Sequence, residues 1–247
     1  IALMVEDISN PFFAGIARLI EAKAYKRGYK IIYSSTENDL GKTKEMIDLF
    51  KSRQIDAYII SPAQGIEADI QDLLNEHKPV VLFDRYLPTL NVNYVGVDHY
   101  HASYAVATHF AEQAKLHSAL VTVDLDVEQI TERHHGFQQA FLDHGLQLNE
   151  ELVLRVPFNQ TRAETMVQLK ALFAEHPEID SVLFATNYLA ISGLSVLKEM
   201  NKIVGKDISV IAYDDGDVFK LHTPQISAVE QPLEEIADRV IDLIFQQ

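Results

Sequence analysis

Short β-branched apolar runs alternate along the whole chain with longer stretches of helical period. The runs Ala2–Glu6, Lys30–Ser34, Ala57–Ile60, Val80–Phe83, Tyr94–Val97, Ser118–Val123, Leu152–Val156, Ser181–Ala185, Ile208–Tyr213 and Ile226–Glu230 predict strands. Several are continuous rather than alternating, the pattern of parallel strands covered on both faces. Between them, Phe13, Ile16, Ala17, Ile20 and Ala24 recur at helical spacing, as do Ala190, Gly193, Leu194 and Leu197. The last helix shows Leu233, Ile236, Ala237, Val240, Ile241 and Ile244, with Pro232 at its start, where a missing N–H is no loss. Asn10 caps the first helix ahead of Pro11, and Thr161-Arg162-Ala163-Glu164 reads as a capping box.

Repeated strand–helix alternation implies an α/β fold with parallel sheets and right-handed crossovers. The chain divides into two similar halves meeting near Asp98–Tyr100, with no Gly/Ser-rich linker between them. Two doubly wound parallel-sheet lobes are therefore expected. In such sheets ligands bind at the carboxyl ends of the strands, which directs attention to the loops that follow them.

Composition narrows the function. The length of 247 residues, 47% hydrophobic and 23% charged, is that of an ordinary globular chain with no apolar stretch of membrane-spanning length. It contains no cysteine, which excludes disulfides and thiolate metal sites. The net charge of −15 makes it a poor nucleic-acid binder by itself, because phosphate neutralisation dominates DNA affinity. The chain opens on Ile1 inside an apolar run, which reads as a fragment with further sequence upstream; any DNA contact would lie outside these residues.

Polar residues gather at the predicted strand ends. After the first strand, Phe13 lies on the apolar stripe of the helix and reads as core, whereas Phe12 lies off it and reads as an aromatic facing a ligand. Asp84 and Arg85 abut the fourth strand. They make either a structural pair at the sheet edge or a carboxylate and a forked donor for vicinal hydroxyls, and their position favours the ligand. On that reading Arg85 is partly solvated. In the second half Asn187, Asp214-Asp215 and Gln231 follow strands, Arg133 precedes Gly136-Phe137, and Phe158 offers a second stacking face. Each alone is consistent with a cap or a solvated loop residue; together they have the make-up of a polyol pocket.

The segments Val5 to Phe13, Phe83-Asp84-Arg85, Arg133-His134-His135-Gly136-Phe137, Asn187 before Ala190 and Gly193, Ile208 to Asp215, and Thr223-Pro224 with Glu230-Gln231-Pro232 occur in an order that resembles the effector-binding core of the LacI/GalR family of transcription regulators. The resemblance spans essentially the whole chain. It implies a type I periplasmic-binding-protein-like fold with interleaved lobes, 1–98 plus 232–247 nearest a DNA-binding head and 99–231 distal to it. It places Phe12, Asp84, Arg85, Arg133, Phe158, Asn187, Asp214 and Gln231 on the effector cleft. It also implies a small-molecule effector of sugar type, a homodimer, operator DNA reached through an N-terminal helix-turn-helix absent from these residues, a cytoplasmic location and no cofactor. One departure stands out: Asn187 is followed by Tyr188 where the family commonly has Asp. Tyr188 is then a further stacking residue or one that faces solvent.

Other chemistries find little support. The histidines of His99-Tyr100-His101 and His134-His135 lack the spacing of a zinc set and read as surface or capping residues. Asp124-Leu125-Asp126-Val127-Glu128 lacks the turn glycine of a calcium loop. Nucleophile-elbow, phosphate-loop and dinucleotide motifs are missing, so enzymatic activity is not expected. Two classes remain: the sensing core of a regulator, favoured by the motif order, and a secreted sugar-binding protein of a transport system.

Overall fold

The computed structural model describes residues 1–246. The chain separates into two compact units, Ile1–Val97 with the chain from Pro232 onward, and Asp98–Gln231.

The first unit holds β1 (Ala2–Val5), α1 (Pro11–Lys26), β2 (Ile32–Ser35), α2 (Leu40–Ser52), β3 (Tyr58–Ile60), α3 (Glu67–Asn75), β4 (Val80–Phe83) and β5 (Asn93–Val95). These strands form one parallel sheet in the order β2-β1-β3-β4-β5. Leu3, Val5, Ile59, Val81 and Phe83 point to one face, and Ala2, Met4, Tyr58, Ile60, Val80 and Leu82 to the other; both sets are buried. That two-sided burial explains why these strands read as unbroken apolar runs.

The second unit holds α4 (His99–Glu112), β6 (Ser118–Asp124), α5 (Glu128–Asp143), a single 3-10 turn at Glu150–Leu152, β7 (Val153–Pro157), α6 (Arg162–Glu175), β8 (Ser181–Phe184), α7 (Asn187–Glu199), β9 (Ser209–Tyr213), α8 (Asp217–Leu221) and β10 (Ser227–Val229). Its parallel sheet runs β10-β9-β8-β6-β7, the first unit's order shifted by one set of strands. The chain leaves each sheet from its last strand. After β5 it enters α4, which packs beside α5 in the second unit; after β10 it enters α9 (Leu233–Gln246), which packs beside α1 in the first. Along the α1–α9 contact, Lys23 reaches Asp238 at 2.6 Å and Arg27 reaches Asp242 at 2.5 Å, exposed pairs flanking an apolar seam of Ile16, Ile20, Val240 and Ile244.

All the strands expected from the sequence are present; Val80–Phe83 keeps its expected ends and the others shift at one or both. β5 stops at Val95, and just beyond it the Tyr94 ring folds over Gly96, occupying the space a Cβ there would need. β8 stops at Phe184: the next amide, Ala185 N–H, still pairs with the Val121 carbonyl at 2.8 Å, but the Ala185 carbonyl accepts from Arg133. The capping box at Thr161 and Glu164 forms as read. Pro232 sits one position before α9, where its carbonyl accepts from Ile236 N–H at 3.0 Å.

Gly136 marks the tightest helix approach. On α5, a Cβ at this position would fall on the carbonyl oxygen of Tyr100, which is backbone of α4 and cannot rotate away. Alanine would gain about 1 kcal/mol of helix propensity, yet overpacking a rigid contact costs about 1–3 kcal/mol or more. We expect Gly136→Ala to lower the melting temperature by roughly 3–8 °C, read by circular dichroism. An unchanged melting temperature would show that α4 moves aside freely.

Candidate functional site

In the first unit the strand-end groups converge on Arg85. Asp84 follows β4 with φ 64, a left-handed turn that directs the next residue back across the sheet end. Its backbone N–H donates to the Val95 carbonyl at 3.2 Å, and its carboxylate accepts from the Ser61 hydroxyl at 3.0 Å. Arg85 is only 6% exposed. Its guanidinium pairs with the Glu6 carboxylate beyond β1 and donates to the Asn38 side chain beyond β2. The expectation of a partly solvated Arg85 is therefore corrected. The sequence places Glu6 at the end of a predicted strand and gives Asn38 no role, and sheet order is needed to see that one arginine reaches both.

Phe12 also departs from expectation. It is 8% exposed and joins the first unit's core with its ring edge-on to Phe13 at 5.0 Å. Asn10 caps α1 by accepting from Phe12 N–H at 3.1 Å, and in that first turn neighbouring positions are both covered. The separation of a core Phe13 from an exposed Phe12 does not hold.

In the second unit Arg133, Asn187, Asp214 and Gln231 come together around the ends of β8, β9 and β10. Asp214 repeats the Asp84 device: φ is 64, and its N–H donates to the Val229 carbonyl at 3.0 Å. Gln231 Nε2 donates to its carboxylate at 2.5 Å, and the Asn187 backbone N–H donates to it as well. Burial pushes the Asp214 carboxyl up, opposed by the Arg133 charge and these donors. Thr186, which precedes Asn187 at the start of α7, has a buried hydroxyl with no hydrogen-bond partner among the described residues.

Arg133, projecting from α5, is 5% exposed. Its Nη1 donates to the Ala185 carbonyl at 2.6 Å, and its guanidinium carbon lies 3.7 Å from the centre of the Tyr213 ring, a close cation–π contact. The Tyr213 hydroxyl lies 2.7 Å from His99 Nδ1, and Arg133 Nε approaches the same nitrogen at 3.4 Å. Donors on that side make Nδ1 the acceptor and leave the proton on Nε2. His99 is 2% exposed, so the surface or capping reading is corrected for this residue. Burial, then the Arg133 charge, lowers its pKa to about 3. His101, by contrast, is exposed and reaches the α4 cap Asp98 at 2.7 Å.

Phe158 stands apart from this group. Half-buried beyond β7, it lines a separate pocket of about 280 Å³ together with Tyr188, which is 40% exposed.

The neutral His99 carries a pH signature. Its folded pKa of about 3 lies below the 6.5 of an ordinary histidine, so the unfolded chain binds the extra proton between those values. Stability from this group is complete above 6.5 and is lost as pH falls, by up to about 1.4 kcal/mol per pH unit. Denaturant melts between pH 7.5 and 5 are expected to show a shallower fall in stability for His99→Gln than for the wild type. Identical slopes would show that His99 charges freely in the folded state.

A family model described as the periplasmic binding protein-like domain matches residues 107–247. The chain is 26% identical over 250 residues to the HTH-type transcriptional repressor PurR of Aliivibrio fischeri, covering 100% of this chain and 74% of that protein. Among solved structures, a probable LacI family transcriptional regulator from Corynebacterium glutamicum superposes with a TM-score of 0.90 at 20% identity, covering 99% of this chain and 93% of that one. A LacI family transcriptional regulator from Lactobacillus casei with bound glucose gives 0.87 at 20% identity, covering 99% and 92%. The chain belongs to the periplasmic binding protein-like domain family.

Proposed function

We propose that this core senses a polyhydroxylated effector, a sugar or sugar derivative, and relays its binding to a DNA-binding head acting on operator DNA. The observation that carries the reading is the buried array of Arg133, Asn187, Asp214 and Gln231 at the strand ends of the second unit. Hydroxyls are both donors and acceptors, and a carboxylate beside a guanidinium and an amide matches vicinal pairs of them. The unpartnered Thr186 hydroxyl beside the array fits the same ligand chemistry. Asp84 and Arg85 form the first unit's own strand-end cluster, ordered by Ser61, Glu6 and Asn38. Phe158 offers an aromatic face in its own pocket of the same unit. A related regulator was solved with glucose, which supports a sugar here. The named relatives are regulators rather than transport proteins, which disfavours the secreted sugar-binding alternative. A regulator acts in the cytoplasm, and this reading assigns the chain binding rather than catalysis.

Dimerisation accompanies this role. On the second unit, Leu221 is 82% exposed, Ile203 53% and Val218 46%. Val218 also lines a groove of about 530 Å³ with Leu194, Leu197 and Val204. A ridge beside a groove on one face is self-complementary under a two-fold axis, so a second copy is the occupant we assign.

Calorimetry against neutral mono- and disaccharides tests the effector reading. Asp214→Asn should weaken the sugar that binds the wild type by about tenfold or more, the loss expected for a charge-assisted hydrogen bond. Equal affinities would remove Asp214 from the site. Sedimentation velocity tests the assembly: Leu221→Asp should shift a dimer to monomer, whereas an unaltered dimer would place the interface elsewhere.

A further inference from the structure

The pocket that Phe158 lines lies wholly within the second unit and has a chemistry of its own. It sits at the carboxyl ends of β6 and β7, beside the starts of α6 and α7. Val123, Val156 and Ile191 supply apolar surface, and Phe158 and Tyr188 supply two aromatic rings. Its volume of about 280 Å³ is at the small end of ligand pockets, enough for one substituted ring rather than an oligomer.

Two side chains give the lining its polarity. Gln160 is fixed by a tight turn in which its backbone N–H donates to the Pro157 carbonyl at 3.0 Å. Its side-chain Nε2 is shut off from solvent and has no hydrogen-bond partner among the described residues. A buried amide left unpaired costs about 1–3 kcal/mol, so an acceptor brought to it is favoured. Arg162 opens α6 and donates to the Ser195 hydroxyl at 3.0 Å, which uses one of its five N–H groups. The Thr165 and Ser192 hydroxyls also line the pocket, but each gives its proton to a backbone carbonyl, at 3.0 and 2.9 Å.

The charge balance is one-sided. The chain carries 36 acidic residues against 21 basic ones, yet Arg162 is the only ionised side chain in this lining and no carboxylate joins it. Glu164, half a turn further on, is turned away into its capping box, accepting from Thr161 N–H at 3.0 Å and from the Thr161 hydroxyl at 2.6 Å.

We propose that this pocket is a subsite for a ring-sized group bearing an anionic substituent, a phosphoryl ester or a carboxylate on a sugar. The aromatic faces hold the ring, and the Gln160 amide and Arg162 guanidinium hold the anion. The inference rests on the effector reading above and deepens it by assigning the effector a negative charge.

Isothermal titration of the 247-residue chain with glucose, glucose 6-phosphate, glucuronate and inorganic phosphate tests it. One of the anionic sugars should bind about tenfold or more tighter than glucose, as charge-assisted hydrogen bonds imply, and which one distinguishes phosphoryl from carboxylate. Arg162→Ala should collapse that preference to about one, and Gln160→Leu should reduce it. Arg155→Ala, which removes an equal charge paired with Glu150 beyond this lining, should leave it intact. Glucose bound as tightly as both anionic sugars overturns the subsite while leaving the effector reading standing. A preference that survives Arg162→Ala, or inorganic phosphate binding as tightly as the sugar phosphate, overturns it as well. So does failure of every probe to bind; the effector reading is judged separately by the neutral sugar screen and Asp214→Asn.

Discussion

A parallel strand covered on both faces has its amides satisfied by neighbouring strands and its side chains in hydrocarbon, so polar chemistry is confined to its ends. Both sheets obey this. Leu3 and Val5 enter one layer of apolar side chains while Ala2 and Met4 enter the other, and in the second sheet Val121 and Leu120 divide the same way. The polar array therefore begins where the ladders stop. Asp84 and Asp214 occupy equivalent places in the two sheets, each after the fourth strand in sequence, each at φ 64, and each donating its N–H to the end of the neighbouring strand. A left-handed residue there turns the chain back over the sheet end, and aspartate tolerates that conformation better than most side chains.

Keeping Arg133 buried requires partners of a particular kind. An isolated guanidinium in hydrocarbon is prohibitively costly. Here a carbonyl takes one N–H, an imidazole nitrogen faces another edge and the Tyr213 ring covers the plane. None of these partners is charged, and protonating His99 would set a second cation against the first; its low pKa is the reciprocal of that arrangement. The Tyr213 hydroxyl completes the set, 2.7 Å from His99 Nδ1 and hydrogen-bonded by Arg133 as well. Each group thus fixes the orientation of the next.

The fold was legible in the sequence because its determinants are local. Two-sided burial writes continuous apolar runs, and caps such as Asn10 and Thr161 are spelled out within four residues. Strand-end candidates were legible for the same reason, since position after a strand can be read without a structure. What escaped the reading was set by sheet order. Arg85 meets Glu6 and Asn38 because β4, β1 and β2 share one sheet, and His99 meets Tyr213 across 114 positions of chain. Phe12 was misjudged because a helical stripe averages over turns, whereas the first turn of α1 is covered on a wider arc. Gln160 was invisible, since an orphaned amide is defined by what surrounds it.

The two buried arginines, Arg85 just beyond β4 and Arg133 on α5, have opposite surroundings. Arg85 is neutralised by the Glu6 carboxylate, and the Asp84 carboxylate 3.9 Å from its Nε leaves the cluster with a formal charge of −1. Arg133 has only neutral direct partners and, among the described residues, no carboxylate within ion-pair distance of 4.0 Å; Asp214 acts on it from further off. A cation and an anion held apart in a low-dielectric site each keep a demand for a partner that a salt bridge would have quenched. A ligand hydroxyl answers both, accepting near the guanidinium and donating toward the carboxylate. Water answers them too, but without the ring that would cover apolar wall as it did so. On the proposed reading, a preference for a polyol over solvent would arise from joining that unquenched polar pair to hydrocarbon burial in one molecule.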